Sequence, residues 1–211
     1  MRCGRVGFAV VLVLAAALGA AIAGDSKDGG SGNAGGAGDE DAAWRALQQP
    51  GHAALLRHAH APGVADDPDM EIDDCATQRN LDKLGREQAR AIGERLRAHG
   101  IDDRAVYTSR MCRAIDTAEL LDVGGGRPLP GLDSYFGDDA RRDAILTSLR
   151  TFLRTDTLTP PPILVTHTPN IREVSGEEPK QGGMVVVGVT AGGDIETVGS
   201  IPPPETSTTE E

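Results

Sequence analysis

Two short runs without a polar residue, Ala53-Ala54-Leu55-Leu56 and Ile163-Leu164-Val165, constrain this chain more than any other feature. Neither alternates apolar with polar, so both of its faces must be covered, and each is too short for a core helix. They read as central strands of a sheet with helices on it. The intervening sequence has the other period: Leu84, Gln88, Ile92 and Leu96 fall in line on one helical face, and Gly100 suits the left-handed position that follows. Trp44 and Leu47 suit a short helix stopped by Pro50-Gly51. Residues 106–107 read as a brief strand, 112–121 as a helix ended by Gly124-Gly125-Gly126, and 144–153 as another helix. Residues 184–189 and 195–198 read as late strands joined by Gly192-Gly193-Asp194. Strands separated by helices predict a layered α/β domain with a largely parallel sheet, whose ligand crevice lies past the carboxyl ends of the strands.

The flanks look different. Arg2 and Arg5 precede an uncharged stretch over 6–23 that ends in Ala21-Ile22-Ala23. A basic start, an apolar centre and small residues at the exit predict a signal peptide over 1–23 and an exported chain, periplasmic or secreted, with no stable membrane insertion after cleavage. An uncleaved N-terminal anchor is the alternative, because 18 residues sit at the short limit for a span. Residues 24–41 are rich in Gly and read as a flexible linker; 202–211 read as a disordered polar tail. The folding unit is expected over 42–201.

Of 211 residues, 21 are Lys or Arg and 32 are Asp or Glu, a net charge of −11. That balance excludes a general nucleic-acid binder, which needs a cationic face. It leaves room for a small anion held by a local group of arginines.

Each apolar strand delivers a histidine to the same edge. His58 follows the first run through Arg57, and His167 follows the second through Thr166. A third strand runs through Tyr107-Thr108-Ser109 toward a helix that begins near Arg113. Two imidazoles and two guanidiniums then converge on one crevice. Guanidinium holds oxyanions through paired hydrogen bonds, and a neutral imidazole has a lone pair for attack at phosphorus. Phosphoryl transfer asks mainly for alignment and charge stabilisation, which two arginines supply without a metal or cofactor. The leaving oxygen still needs a proton, from an Asp, Glu or His nearby. His58-x-His60 together with His167 allows a rival reading, a three-histidine zinc hydrolase.

Leu55-Leu56-Arg57-His58-Ala59 resembles the signature of the histidine phosphatase (phosphoglycerate mutase-like) superfamily, with Ala59 where that signature usually has Gly. Cys75-Ala76-Thr77-Gln78-Arg79-Asn80-Leu81 with Gly85 looks like the loop and helix start of one bacterial, exported subgroup. Ser109-Arg110-Met111-Cys112-Arg113-Ala114 with Thr117-Ala118 is similar to the second-arginine motif, and Leu164-Val165-Thr166-His167 with Asn170-Ile171 and Gly176 to the second-histidine motif. Gly183 to Val187 resembles the closing strand. The resemblance implies a three-layer α/β/α sandwich and a metal-independent phosphatase acting on a small phosphorylated substrate. His58 would be the nucleophile, Arg57 and Arg113 would bind the phosphoryl oxygens, and His167 would stabilise the transferring group. The proton donor would be Asp133, with Asp138 and Asp139 as competitors. A catalytically weak or inactive phosphoryl-ligand-binding protein of the same fold is the second reading. The loops expected to set specificity, 61–74 and 124–139, are acidic and rich in Gly, with nothing obviously basic beyond the pocket. Cys75 and Cys112 both border that pocket, and a disulfide and two free thiols are both open at this point.

Overall fold

The computed structural model describes residues 37–135, 138–155 and 158–205. The predicted signal peptide, and the linker up to residue 36, lie outside them. Five helices are described, α1 (Ala37–Ala46), α2 (Lys83–Ala98), α3 (Cys112–Leu121), α4 (Asp139–Leu153) and α5 (Thr168–Ser175). Six strands, β1 (His52–Arg57), β2 (Val106–Thr108), β3 (Gly126–Pro128), β4 (Ile163–Thr166), β5 (Met184–Val189) and β6 (Ile195–Ile201), form one sheet in the order β3-β2-β4-β1-β5-β6. The first four in that row are mutually parallel, whereas β5 runs antiparallel to β1 and β6 antiparallel to β5.

Both faces of the sheet are covered, as the unbroken apolar runs require. Ala54 and Leu56 of β1, Ile163 and Val165 of β4, and Met184 and Val186 of β5 pack with Trp44, Ile92, Leu96, Ala114, Ala118 and Leu121, so α1, α2 and α3 lie on this side. The alternate residues Ala53, Leu55, Leu164, Val185 and Val187 pack with Leu149, Leu153 and Ile171, which puts α4 and α5 on the other. Period two along each strand thus sorts one apolar run into two cores, and the expected three-layer α/β/α sandwich is borne out.

Several boundaries differ from the expectation. The helix α1 begins at Ala37, inside the stretch read as linker. Its Asp39 and Glu40 lie in the first turn, where the helix dipole favours negative charge. Glu40 is also held by Trp44 Nε1 at 3.1 Å and by Arg95 Nη2 at 2.5 Å. The tail likewise starts later than residue 202, since Arg95 Nη1 donates to Pro202 O at 2.6 Å; residues 206–211 lie outside the described ones. The helix α3 ends at Asp122, which takes the left-handed conformation at φ 52°, and Gly126 opens the edge strand β3 rather than closing the helix. All three residues of β3 are exposed, so no apolar pattern marks it. The short helix α5 was not expected, although Pro169 in its first turn removes an N–H that has no helical partner there.

Candidate active site

Strands β1 and β4 are parallel neighbours in a register that pairs Arg57 with Thr166. His58 and His167 therefore leave adjacent strands at the same level, and His58 N donates to Thr166 O at 3.1 Å. Their ring centroids are 5.3 Å apart, with planes tilted by 58°. Both side chains are almost completely buried. Ser109, at the end of β2, joins them: its backbone N donates to Val165 O, and its Oγ lies 2.9 Å from His167 Nε2. Two strand ends thus deliver the imidazoles that face the crevice, and a third places Ser109 behind His167.

His58 Nδ1 lies 2.8 Å from Ala59 O and must donate to it, because a carbonyl only accepts. His58 Nε2 accepts from Arg113 Nε at 3.2 Å. The two contacts fix one tautomer, with the lone pair on Nε2. Burial pushes the His58 imidazole down to about 3, helped by the charges of Arg113, Arg57 and Arg79. Burial also holds His167 well below its ordinary value, with His58 and the same three guanidiniums adding to the effect. Both rings are neutral near pH 7.

Arg113 is buried at the start of α3. Its Nη1 and Nη2 each donate to one Asp66 oxygen at 3.0 Å. Arg57 gives Nη1 to Pro179 O at 3.0 Å, and its buried Nε has no protein partner. An unsatisfied guanidinium N–H beside two neutral imidazoles is a donor set for an anion. Burial and the neighbouring Arg79 charge also lower Arg57 from its ordinary value.

The crevice is an open cavity of about 260 Å³, and its lining includes Arg57, His58, Asp66, Arg79, Arg113 and His167. Arg57, His58, Arg113 and His167, the four residues expected to converge on one crevice, all line it. Asp133 is not among the lining residues. It is fully buried behind the site, where Oδ1 accepts from Arg110 N at 2.8 Å and Ser109 Oγ at 3.3 Å. Its Oδ2 accepts from Arg110 Nε at 2.8 Å and Nη2 at 2.5 Å. The structure thus engages Asp133 on both oxygens and does not bring it to the cavity where the expected proton donor would stand. Asp138 and Asp139, exposed at the start of α4, do not line the cavity either. The zinc reading fails on the same kind of evidence. His60 turns its Nδ1 to the Asp82 carboxylate at 3.1 Å, and among the described residues no three His, Cys, Asp or Glu side chains are placed to hold a metal ion.

Two site residues went unassigned in the sequence, Asp66 and Arg79. Both lie between β1 and α2, Asp66 in the acidic 61–74 loop expected to set specificity and Arg79 in the Cys75 to Leu81 segment that follows it. Arg79 is set by Nε on Pro62 O at 2.8 Å and Nη2 on Ala61 O at 2.7 Å, while its backbone N donates to Asp66 Oδ1 at 3.0 Å. This loop is tied to α3 twice. Gln78 Oε1 accepts from Cys112 N at 2.9 Å, and Cys75 and Cys112 form a disulfide with Cα atoms 5.7 Å apart. Arg79 lies within the Cys75 to Leu81 segment, but only the folded loop shows that it reaches the crevice.

Residues 54–131 match the histidine phosphatase superfamily, branch 1. The matched residues include most of β1, His58, Asp66, Arg79 and the helix that carries Arg113; His167 lies beyond them. No curated protein matches the chain. Among solved structures, the protein histidine phosphatase SixA complexed with tungstate is 20% identical, with a TM-score of 0.54, and the similarity covers 72% of this chain and 97% of that one. The putative phosphohistidine phosphatase SixA from Agrobacterium tumefaciens is 18% identical, with a TM-score of 0.50, covering 74% of this chain and 100% of that one. A putative alpha-ribazole-5'-P phosphatase from Escherichia coli is 15% identical, with a TM-score of 0.53, covering 75% and 100%. At these identities the likeness is one of fold.

Proposed function

We propose that this chain is a phosphatase that hydrolyses a small phosphoester or phosphoramide through a phosphohistidine formed on His58. The observation that carries the reading is the neutral His58 ring, with its Nε2 lone pair against Arg113 and its Nδ1 hydrogen on a backbone carbonyl. When the phosphoryl group enters, Arg57, Arg113 and Arg79 surround its oxygens, and the lone pair faces phosphorus. His167, held neutral by burial, lies beside the incoming anion and stabilises the transferring group. Because three guanidiniums carry the charge, the step needs no metal. The family match and the SixA fold support the phosphatase class, and the tungstate bound in that protein is a tetrahedral oxyanion like phosphate. Residues 1–23 are proposed as an export signal, which places the substrate outside the cytoplasm.

The test is an acid-labile phosphoenzyme trap with labelled para-nitrophenyl phosphate. Wild type is expected to retain label and the His58→Ala variant to lose it; label on the variant removes His58 as the nucleophile. The displacement of Asp133 from the cavity supports one rival, a phosphoryl-ligand-binding protein without turnover. That rival predicts phosphate binding with no label and no release of para-nitrophenol.

A further inference from the structure

The sequence supplied a proton donor, Asp133, that the fold buries elsewhere. Among the described residues lining the cavity there is one carboxylate, Asp66. It occupies both Nη groups of Arg113, and the Nε of the same guanidinium touches the attacking nitrogen of His58. Asp66 therefore sits one guanidinium away from the reacting centre, on the donors that a phosphoryl group would use. Bidentate donors cannot serve two anions at full strength, so substrate binding must move Asp66 off Arg113. The displaced carboxyl group has no need to travel far, because Arg79 N still holds Oδ1 and the Ala61 and Pro62 carbonyls hold Arg79.

We propose that Asp66 is the proton donor to the leaving group, released for that task when the phosphoryl oxygens take its place on Arg113. This rests on the phosphatase reading above. The exchange puts the carboxylate beside the bound phosphoryl group instead of a guanidinium, where it takes the proton that a phosphomonoester monoanion carries in. In the first half-reaction the His58 Nε2 lone pair forms a bond to phosphorus, and the bond from phosphorus to the leaving oxygen breaks. The electron pair stays on that oxygen, which takes the Asp66 proton. In the second, water attacks phosphorus, Asp66 carboxylate accepts the water proton, and the phosphorus–nitrogen pair returns to Nε2. The water proton passes on from Asp66 to the product, which leaves as H2PO4−, and the Asp66 carboxylate returns to Arg113.

The experiment compares Asp66→Asn with wild type on para-nitrophenyl phosphate, phenyl phosphate and glycerol phosphate. Asn keeps an acceptor for Arg79 N but carries no transferable proton. The rate loss should grow with the basicity of the leaving group, exceeding the loss on para-nitrophenyl phosphate by roughly 100-fold for glycerol phosphate. A second variant, Asp66→Ala, should bind inorganic phosphate more tightly than wild type, because the competing carboxylate is gone. An equal loss on all three substrates, or weaker phosphate binding by Asp66→Ala, overturns the assignment. Phosphoenzyme formed by wild type on para-nitrophenyl phosphate separates the two claims: without it the phosphatase reading fails, and with it only the Asp66 assignment is at stake.

Discussion

Arg113 Nε donates to His58 Nε2 at 3.2 Å, so a buried guanidinium rests on the very lone pair that would attack phosphorus. The contact keeps the imidazole neutral and aimed, yet it must be given up for the lone pair to react. On the proposed reading an incoming phosphoryl group would release it, because its oxygens would compete for the same guanidinium. Binding and activation of the nucleophile would then be one event.

Arg113→Lys keeps the charge but loses the planar fork that reaches His58 and the anion together. Its kcat on para-nitrophenyl phosphate should fall by about 10²- to 10³-fold, the range seen when one donor to a developing oxyanion is removed. Steady-state kinetics reads this directly. A change of less than about threefold would place Arg113 outside the transition state.

The buried histidines also tie stability to pH. His58 is held at about 3 in the folded protein, chiefly by burial, and His167 is lowered in the same direction. In the unfolded chain both titrate near 6.5. Below that value the unfolded state binds protons that the folded state refuses, so stability is fully present above about pH 6.5 and is lost as pH falls toward 3. Each histidine contributes a slope of up to about 1.4 kcal/mol per pH unit in that window. Urea midpoints at pH 7 and pH 5 should show the drop, and His167→Gln should flatten it. The same low value keeps the nucleophile unprotonated, so kcat/KM should show no acid limb near 6.5 from His58.

How far the sequence went depends on the range of the interactions. Ala53 to Leu56 and Ile163 to Val165 declared their burial locally, and with it the strand ends that carry His58 and His167. Arg113 was legible because it opens a helix directly after the third strand. Asp66 was not: several acids share its loop, and it is distinguished only by the Arg79 backbone and the Arg113 fork, 13 and 47 positions away. Asp133 was misassigned for the mirror reason. Chain order places it in the right region, but Arg110 and Ser109 draw it behind the strand ends.

The disulfide between Cys75 and Cys112 joins the loop that carries Asp66 and Arg79 to the residue before Arg113. Its sequence separation of 37 gives a loop-closure stabilisation of roughly 4 kcal/mol on the chain-entropy account. Cys75→Ser with Cys112→Ser should lower the urea midpoint accordingly. It should also raise KM for para-nitrophenyl phosphate, because the loop then orders only on binding. A midpoint unchanged between oxidised wild type and the double variant would show that the loop is held by Gln78 and Arg79 alone.

The Ser109 hydroxyl lies between Asp133 Oδ1 at 3.3 Å and His167 Nε2 at 2.9 Å. On the phosphatase reading proposed above, Asp133 would be a positioning residue acting through Ser109, and its loss should look different from the loss of a proton donor. Asp133→Asn keeps an oxygen for Ser109 and Arg110 N but gives up the charge on Arg110, at about 1–3 kcal/mol of stability, as for hydrogen bonds to charged groups. Its kcat should fall by a similar factor on para-nitrophenyl phosphate and glycerol phosphate, because the misplaced His167 serves the phosphoryl group and not the leaving oxygen. Parallel rate measurements on the two substrates decide it. A penalty that grows with leaving-group basicity in Asp133→Asn, and not in Asp66→Asn, would reverse the two roles.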